Sequence, residues 1–405
     1  MTNRLPADER PDASERRGRW RCDGRVKGRL LSLTLSMFLL LLMWLLSRSA
    51  WWVESVYAGL VFPLAARILA RLSSPFPFSL AETLAALFAA WLLWATTRAV
   101  VTILRHGRRS AEVLIRATLG LAAGVGPVLV LGYLLWGLNY ARADLVQRLN
   151  WQKYERHQDA AEDLEELSRL CSQVITRTNL SYVKANGSRD QGYPSKVNLT
   201  GGQIDAAIDE GFRVARGKLG LSPSLDVSLG PAKPVFSSVL LSYLGIAGFY
   251  FPWTGEANYN RLLPDSERCH VIAHEKAHQR ALASEEEAGF MGFLACVLSP
   301  DLYVRYSGYF FAQGQLVSQL ARLDPSKARQ LLGERLPGVE RDVKAVRDYW
   351  RRFQGAGTKL GATVNDSYLK LHGVEGGIDS YSRTSRLLIL LARSGGEDLD
   401  GALAK

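Results

Sequence analysis

Two histidines and one glutamate, His274, Glu275 and His278, form the pattern H-E-x-x-H in this sequence of 405 residues. On a helix, imidazoles four residues apart lie on one face and can bind a single metal ion, with the glutamate beside it. Zinc hydrolases use this arrangement: histidine nitrogens bind the metal, and a carboxylate takes a proton from the metal-bound water. The pattern therefore predicts a Zn²⁺ site with His274 and His278 as ligands and Glu275 as general base.

The surrounding residues favour a metal site over a surface helix whose histidines have only structural contacts. The three residues before His274 are apolar (VIA), as expected of a helix packed on a core. The sequence has six histidines, and His270, His274 and His278 recur at a spacing of four, on one helical stripe. We interpret His270, one turn before the pattern, as a packing residue rather than a ligand.

A catalytic zinc site has three protein ligands, so a third must come from outside the pattern. The candidates are Glu285 and Glu287 in the segment SEEEA. In a straight helix Glu285 would lie about 10 Å further along the axis than His278, so the chain must turn back before Ser284. Ser284-x-x-Glu287 is a capping-box signature, which predicts a new helix here and a structural role for Glu287. We therefore favour Glu285 as the third ligand; the alternative is that these glutamates only complement the helix dipole.

The first third of the chain is predicted to cross a membrane. Residues 1–29 are polar and rich in arginine, which predicts a disordered cytoplasmic tail. Apolar runs at about 30–52, 80–104 and 117–137 are long enough for three transmembrane helices. A signal peptide is the alternative for the first run, but the two further spans favour an uncleaved anchor. Residues 56–72 carry two arginines and a proline, which predicts an interfacial or re-entrant helix.

The net charge of +11 is concentrated beside the apolar runs, in residues 16–29 and 98–116. Membrane topology explains this excess, and without a nucleic-acid-binding motif we expect no nucleic-acid partner. Both basic segments are expected to face the cytoplasm. Three spans then place everything after about Gly137 outside it.

Residues 139–405 have the composition of a soluble globular domain. The predicted fold class is mainly α: a transmembrane region at 30–138, followed by a mostly helical α+β domain with a small sheet. Residues 245–258 lack a helical period and are the best candidate for an extended segment, while 223–230 and 235–250 could also supply strands. The four cysteines lack metal-ligand spacing; a Cys269–Cys296 disulfide and two buried thiols are alternatives.

Several segments of the sequence resemble a bacterial family of polytopic membrane proteins, catalogued as a domain of unknown function, that carries a zinc-peptidase-like site. The resemblance covers nearly the whole chain after about residue 50, and it implies a zincin-like domain related to the gluzincins. In gluzincins a glutamate on a second helix is the third ligand, and Glu285 matches it. Ala281 stands where the family usually has glycine, and Gly289 replaces an acidic or amide residue. The matching segments are SPFPFS, WGLNYAR, YFPWTGEANYN, HEKAHQRALASEEEAGF, RYSGY and NDSYLKLHGVEGGIDSYSR.

The resemblance also suggests how a substrate is held. Zincins bind the substrate backbone along an edge strand, a part that Phe249–Asn258 could play; an aromatic lid or packed loop is the alternative. An oxyanion stabiliser is needed opposite the metal. Tyr368, His372 and Tyr381, in the last matching segment, are candidate catalytic residues, although each also has a structural interpretation.

We therefore expect a zinc metallopeptidase anchored in the bacterial inner membrane, with its catalytic domain outside the cytoplasm. Its partners would be the lipid bilayer and a peptide or protein substrate. Two alternatives stay open. One is a non-catalytic membrane scaffold or binding protein with a structural metal site, and the other is a zinc hydrolase acting on a non-peptide component of the cell envelope.

Overall fold

The computed structural model describes residues 13–106, 110–155, 160–187, 192–221, 226, 228–371, 384–396 and 398–404. This part of the chain is mainly helical, with one small mixed sheet. A π-helical segment, Trp52–Val61, continues directly into the second α-helix, and short 3-10 helices lie at Gly137–Ala141 and Trp151–Tyr154. The α-helices are α1 (Ala13–Leu46), α2 (Phe62–Ser73), α3 (Leu80–His106), α4 (Ser110–Leu135), α5 (Leu145–Arg148), α6 (Ala160–Asn186), α7 (Gly201–Leu219), α8 (Ser238–Leu244), α9 (Asp265–Gln279), α10 (Glu285–Val297), α11 (Leu302–Leu323), α12 (Pro325–Leu332), α13 (Pro337–Arg352), α14 (Ala356–Leu371), α15 (Thr384–Ser394) and α16 (Leu399–Ala404).

The sheet has three strands, β1 (Lys233–Val235), β2 (Gly248–Phe251) and β3 (Glu256–Asn260), in the order β1-β3-β2. β3 is central: it pairs parallel with β1 and antiparallel with β2. β2 is therefore an edge strand. β2 and the first three residues of β3 lie within residues 245–258, the segment predicted to be extended. Residues 238–244, where a strand was considered, form α8.

The chain divides into two compact units that are discontinuous in sequence. The first comprises Met1–Arg48 and Ala86–Leu134, so its described part consists of α1, most of α3 and α4. Within it, the hydroxyl of Ser32 donates a hydrogen bond to the Ala123 carbonyl at 2.8 Å. Small residues therefore let α1 and α4 approach closely, as is common between membrane helices.

The second unit comprises Ser49–Ala85 and Leu135–Lys405. Its core is formed mainly by α6, α7, α9, α10 and α11. α10 is buried on nearly every side, because its residues from Glu287 to Val297 are all inaccessible to solvent or nearly so. A helix that is apolar all round is expected at the centre of such a core. Cys171, Cys269 and Cys296 are buried free thiols, so Cys269 and Cys296 do not form a disulfide.

In the described part of the chain, four helices are long and apolar enough to cross a membrane: Val26–Leu46, Trp52–Ser73, Leu80–Val101 and Ala117–Leu135. The sequence predicted three. The additional one contains residues 56–72, which were predicted to be interfacial because of their arginines and proline. Pro63 lies where the π-helical segment passes into α2, and the backbone is helical on both sides of it.

A buried carboxylate joins the sheet to the start of α3. Glu256 on β3 accepts hydrogen bonds from the backbone N–H groups of Leu80 (3.2 Å) and Ala81 (2.8 Å) and pairs with Lys233 on β1 at 2.5 Å. The Lys233 ammonium also donates to the Ser73 carbonyl at 2.7 Å. Both charged side chains are almost completely buried. A carboxylate is well placed there because the N-terminus of a helix carries partial positive charge.

Replacing Glu256 with alanine should lower the stability of the protein by about 3–5 kcal/mol, because it leaves the Lys233 ammonium buried without a counter-ion. Thermal unfolding of the purified protein in detergent measures the loss as a lower midpoint. The matched control is Glu210→Ala, which breaks the exposed pair between Glu210 and Arg213 and should leave the midpoint unchanged. Equal midpoints for the two variants would contradict the structural role of the buried pair.

Candidate metal centre

α9 presents both histidines of the pattern on one face. It begins after Pro264, with Asp265 and Glu267 in its first turn, where negative charge complements the helix dipole. His274 and His278 follow one turn apart, and their rings meet edge to face with centroids 4.8 Å apart.

The chain reverses directly after α9, as a third ligand at Glu285 requires. The backbone N–H of Ala281 donates to the His278 carbonyl, and the N–H of Leu282 donates to Ala277. Ala281 has a φ of 68°, in the left-handed region. A residue with a Cβ is destabilised there by about 1–2 kcal/mol, so glycine would fit this turn with less strain.

α10 then begins at Glu285, with Ser284 in the extended conformation of an N-cap residue. The predicted capping box is wrong in its hydrogen bonds, since the Ser284 side chain makes no capping bond. The Glu287 carboxylate instead accepts from the backbone N–H of Leu145 at 2.5 Å and pairs with Arg148 at 2.9 Å. Glu287 is thus structural, but it stabilises the segment around α5 rather than the start of α10.

Three side chains converge where α9 meets α10. The His274 Nε2 lies 3.0 Å from the Glu285 Oε2 and 3.1 Å from the His278 Nε2, and the His278 Nε2 lies 3.5 Å from the same Glu285 oxygen. These are the residues whose ligand atoms could hold a metal ion, all within 4.8 Å of one another. The side chains of His274 and Glu285 are 13% and 12% exposed, so the cluster is accessible.

The spacing of these atoms fits a zinc ion. Ligands about 2.0–2.1 Å from a tetrahedral centre lie about 3.3 Å from each other, and the three observed separations, 3.0, 3.1 and 3.5 Å, bracket that value. Two imidazole nitrogens and one carboxylate oxygen are also a donor set that zinc enzymes use. Among the described residues no fourth His, Cys, Asp or Glu joins the group.

His278 is oriented by its surroundings. Its Nδ1 lies 2.6 Å from the Leu282 carbonyl, so it carries the proton and leaves Nε2 facing the cluster. The edge of Trp136 packs against its ring at 5.6 Å. Burial alone would lower the pKa of His278, but the Glu285 carboxylate outweighs it and raises the pKa to about 9. The same interactions with the two histidines outweigh burial at Glu285 and lower the pKa of its carboxyl well below the usual range. The Glu285 carboxylate and the protonated His278 ring therefore stabilise each other's charge.

Glu275 lies on the side of α9 that faces the edge strand. A Cβ at Gly248 on β2 would come within 2.8 Å of the Glu275 side chain, so the strand backbone and the carboxyl are in close contact. Burial raises the pKa of Glu275 to about 7. A carboxyl with such a pKa exchanges protons readily near neutral pH.

The opposite side of α9 carries buried charges. Lys276, inside the pattern, contacts Asp205 at 2.9 Å and Asp209 at 3.1 Å, and Arg280 contacts Asp209 at 2.7 Å. The side chains of Lys276 and Arg280 are fully buried. Lys276 on α9 and Arg280, the residue directly after α9, are four residues apart, as are the two aspartates on α7. The matching spacing aligns the two helices along the ion pairs.

α9 and α10 touch backbone to backbone at the candidate ligands. A Cβ at Gly292 on α10 would lie 3.0 Å from the backbone nitrogen of His274 and 3.2 Å from its Cα. Glycine at this position therefore sets the distance between the helices that carry the histidines and Glu285.

The other predicted site residues have different outcomes. His270 stacks on Phe311 at 3.5 Å and its Nε2 lies 3.2 Å from the Gly289 carbonyl. Burial lowers its pKa to about 3, so it is a neutral packing residue. Tyr368 belongs to α14, with its side chain outside the described part of the structure, and His372 and Tyr381 lie outside the described residues.

Sequence reasoning missed the residues that orient the cluster. Trp136, Leu282 and Gly248 lie far from the pattern in sequence or act through backbone atoms, which no motif reveals. Asp205 and Asp209 were detectable in principle, because their spacing of four matches that of Lys276 and Arg280.

The fold and the cluster define the chain as a mainly helical protein with apolar helices suited to a membrane and a partly exposed His–His–Glu group in its second unit. The match to known families makes this more specific. The chain belongs to the protein family of unknown function DUF3810, whose model matches residues 57–389. The comparisons with curated proteins and with solved structures found no match.

Zinc binding should depend on Glu285 and not on Glu287. We expect His278→Ala and Glu285→Ala each to weaken zinc binding by more than ~100-fold, since even residues that only orient ligands are worth about 10–100-fold. Glu287→Gln should keep zinc, because Glu287 contacts Leu145 and Arg148 instead of the cluster. Titration with zinc and elemental analysis of the purified proteins measure the difference. Equal zinc in wild type and His278→Ala would refute the site.

Gly292→Ala should destabilise the protein by about 1–3 kcal/mol, because the added methyl group overpacks the contact between α9 and α10. It should also weaken zinc binding, since His274 must move by a few tenths of an ångström. The control is Gly314→Ala on α11, where nothing lies within 4 Å of the new Cβ. That substitution should stabilise the helix by up to about 1 kcal/mol. If both substitutions shifted the midpoint of thermal unfolding in the same direction, this account of Gly292 would be contradicted.

Proposed function

We propose that this protein is a membrane-anchored zinc-dependent metallopeptidase. The observation that carries the proposal is the convergence of His274, His278 and Glu285, from two helices joined by a reversed chain, at separations that suit one tetrahedral ion. Zn²⁺ held by these three residues would polarise a carbonyl and lower the pKa of a water molecule.

The protein residues around the cluster suit the remaining steps. Glu275, adjacent to His274 in sequence, would take a proton from the attacking water and pass it to the leaving nitrogen. The Leu282 carbonyl holds His278 in the tautomer that a ligand needs. A site with three protein ligands and partial exposure favours catalysis over a purely structural metal, which is normally closed by a fourth ligand.

The edge strand β2 would hold the substrate. Its partner β3 lies on one side, and the Ala247 carbonyl accepts a hydrogen bond from the Asn260 N–H. Because hydrogen-bonded and outward-facing residues alternate along an antiparallel strand, Gly248 and Tyr250 direct their backbone groups to the other side. Gly248 is also the residue in contact with Glu275. A peptide added to this edge would run beside the proposed general base.

We further propose that the cluster lies outside the cytoplasm of a bacterial inner membrane. The basic segments at 16–29 and 98–116 support a cytoplasmic location for the N-terminal tail and for the connection between α3 and α4. If that connection is cytoplasmic, α4 crosses the membrane once more and leads the chain to the outer face.

Glu275→Gln should keep zinc and lose peptide hydrolysis by about 10²–10⁴-fold, because general-base catalysis contributes a factor of that order. A library of quenched fluorescent peptides, offered to zinc-loaded protein in detergent, measures the rate. The control is Glu165→Gln, an exposed residue of α6, which should cleave at the wild-type rate. If Glu275→Gln retained full activity, or if the zinc-loaded wild type cleaved no peptide in the library, the proposal would be wrong.

A further inference from the structure

The helical segment Trp52–Ser73 contacts the rest of the second unit at both of its ends. Near its start, the Glu54 carboxylate accepts from the backbone N–H of Ala143 at 2.9 Å and pairs with Arg142 at 3.2 Å. At its end, the Ser73 carbonyl accepts from the Lys233 ammonium at 2.7 Å. The segment is 22 residues long, or about 30 Å, close to the thickness of the hydrocarbon core of a bilayer.

These two contacts are incompatible with a segment that crosses the membrane. The chain from Ser73 to Arg142 runs through α3 and α4, which are both candidate spans. If both cross, the chain returns to the side on which Ser73 lies. If Trp52–Ser73 also crossed, Glu54 would lie on the opposite side from Arg142. The structure places the Glu54 and Arg142 side chains 3.2 Å apart.

The two faces of the segment differ in what they contact. One face packs on the second unit: Val53 and Tyr57 are completely buried, and the Tyr57 hydroxyl accepts from the Asn139 amide at 3.2 Å. The other face is apolar but exposed, with residues at a strict spacing of four. Between 49% and 64% of each of these side chains is accessible, and they are Leu60, Leu64, Ile68 and Leu72. We call these four residues the leucine stripe.

We propose that Trp52–Ser73 lies in the plane of the membrane and inserts its leucine stripe into the interfacial region of the bilayer. The bilayer is the expected occupant because the segment connects two candidate spans, Val26–Leu46 and Leu80–Val101, which hold both of its ends at the membrane surface. The in-plane segment leaves three crossings before Leu135. It therefore puts the N-terminal tail and the His–His–Glu cluster on opposite sides of the membrane, independently of whether the cluster is catalytic.

The depth of spin labels in the bilayer tests this arrangement. Cysteine is introduced singly at Leu60, Leu64, Ile68 or Leu72 in the full chain carrying Cys22→Ser, labelled, and reconstituted in lipid vesicles. The remaining cysteines are buried. The relative accessibility of each label to oxygen and to a water-soluble nickel complex reports its depth. An in-plane helix gives four shallow depths without a steady gradient, which differ by only a few ångströms because residues four apart rotate by about 40° around the helix.

The matched control is the same measurement at Leu84, Phe88 and Leu92 on α3, which are exposed at the same spacing. There the depth should change by about 6 Å from one label to the next, because a helix rises about 1.5 Å per residue. A gradient of that size along the leucine stripe would show a crossing segment and overturn the proposal. A second result would also overturn the proposal. If neither reagent reached the labels and the labels showed spin–spin broadening between copies, a second copy of the chain would cover the stripe.

Discussion

Between Gln279 and Glu285 the chain leaves one helix, turns through a left-handed alanine and enters a second helix that returns past the first. The position of every atom of the His–His–Glu cluster depends on this reversal. A straight helix would carry Glu285 away from His278, whereas the observed turn brings their ligand atoms to 3.5 Å. The strain at Ala281 is opposed by the burial of the helices on either side, since α10 fills the centre of the core and cannot move away without exposing it.

α9 is held in place on two sides by two different kinds of interaction. On one side Gly292 allows backbone contact, so van der Waals packing sets the distance between the helices. On the other side Lys276 and Arg280 are buried against aspartates of α7. Buried ion pairs contribute little net stability, because desolvation offsets their attraction, but breaking one is costly and the directions of their bonds are specific. They prevent α9 from rotating or sliding, and so keep the histidines aimed at Glu285.

The amino-acid sequence predicted those parts of the structure that depend on local pattern. The H-E-x-x-H spacing, the helix break before Glu285, the extended segment that became β2 and β3, and the mainly helical class were all read from neighbouring residues. Long-range contacts were not predictable in this way. The capping box at Ser284 had the right residues, but Glu287 instead contacts Leu145 and Arg148, about 140 positions earlier in the chain. Residues 56–72 are apolar enough to span a membrane, and only their hydrogen bonds to distant residues distinguish the two orientations.

The second compact unit is interrupted in sequence by Ala86–Leu134, which belongs to the first. During synthesis, Ser49–Ala85 therefore leaves the ribosome before the interrupting helices, and its packing partners leave after them. Glu54 and Tyr57 can contact Arg142 and Asn139 only after those residues have been synthesised. The same holds for the contact between the N-terminus of α3 and Glu256. The core of the second unit is therefore completed only after residues 86–134 have been synthesised. A protein shortened to the part after the last apolar helix would lack Ser49–Ala85, and with it a piece of the interior of the second unit.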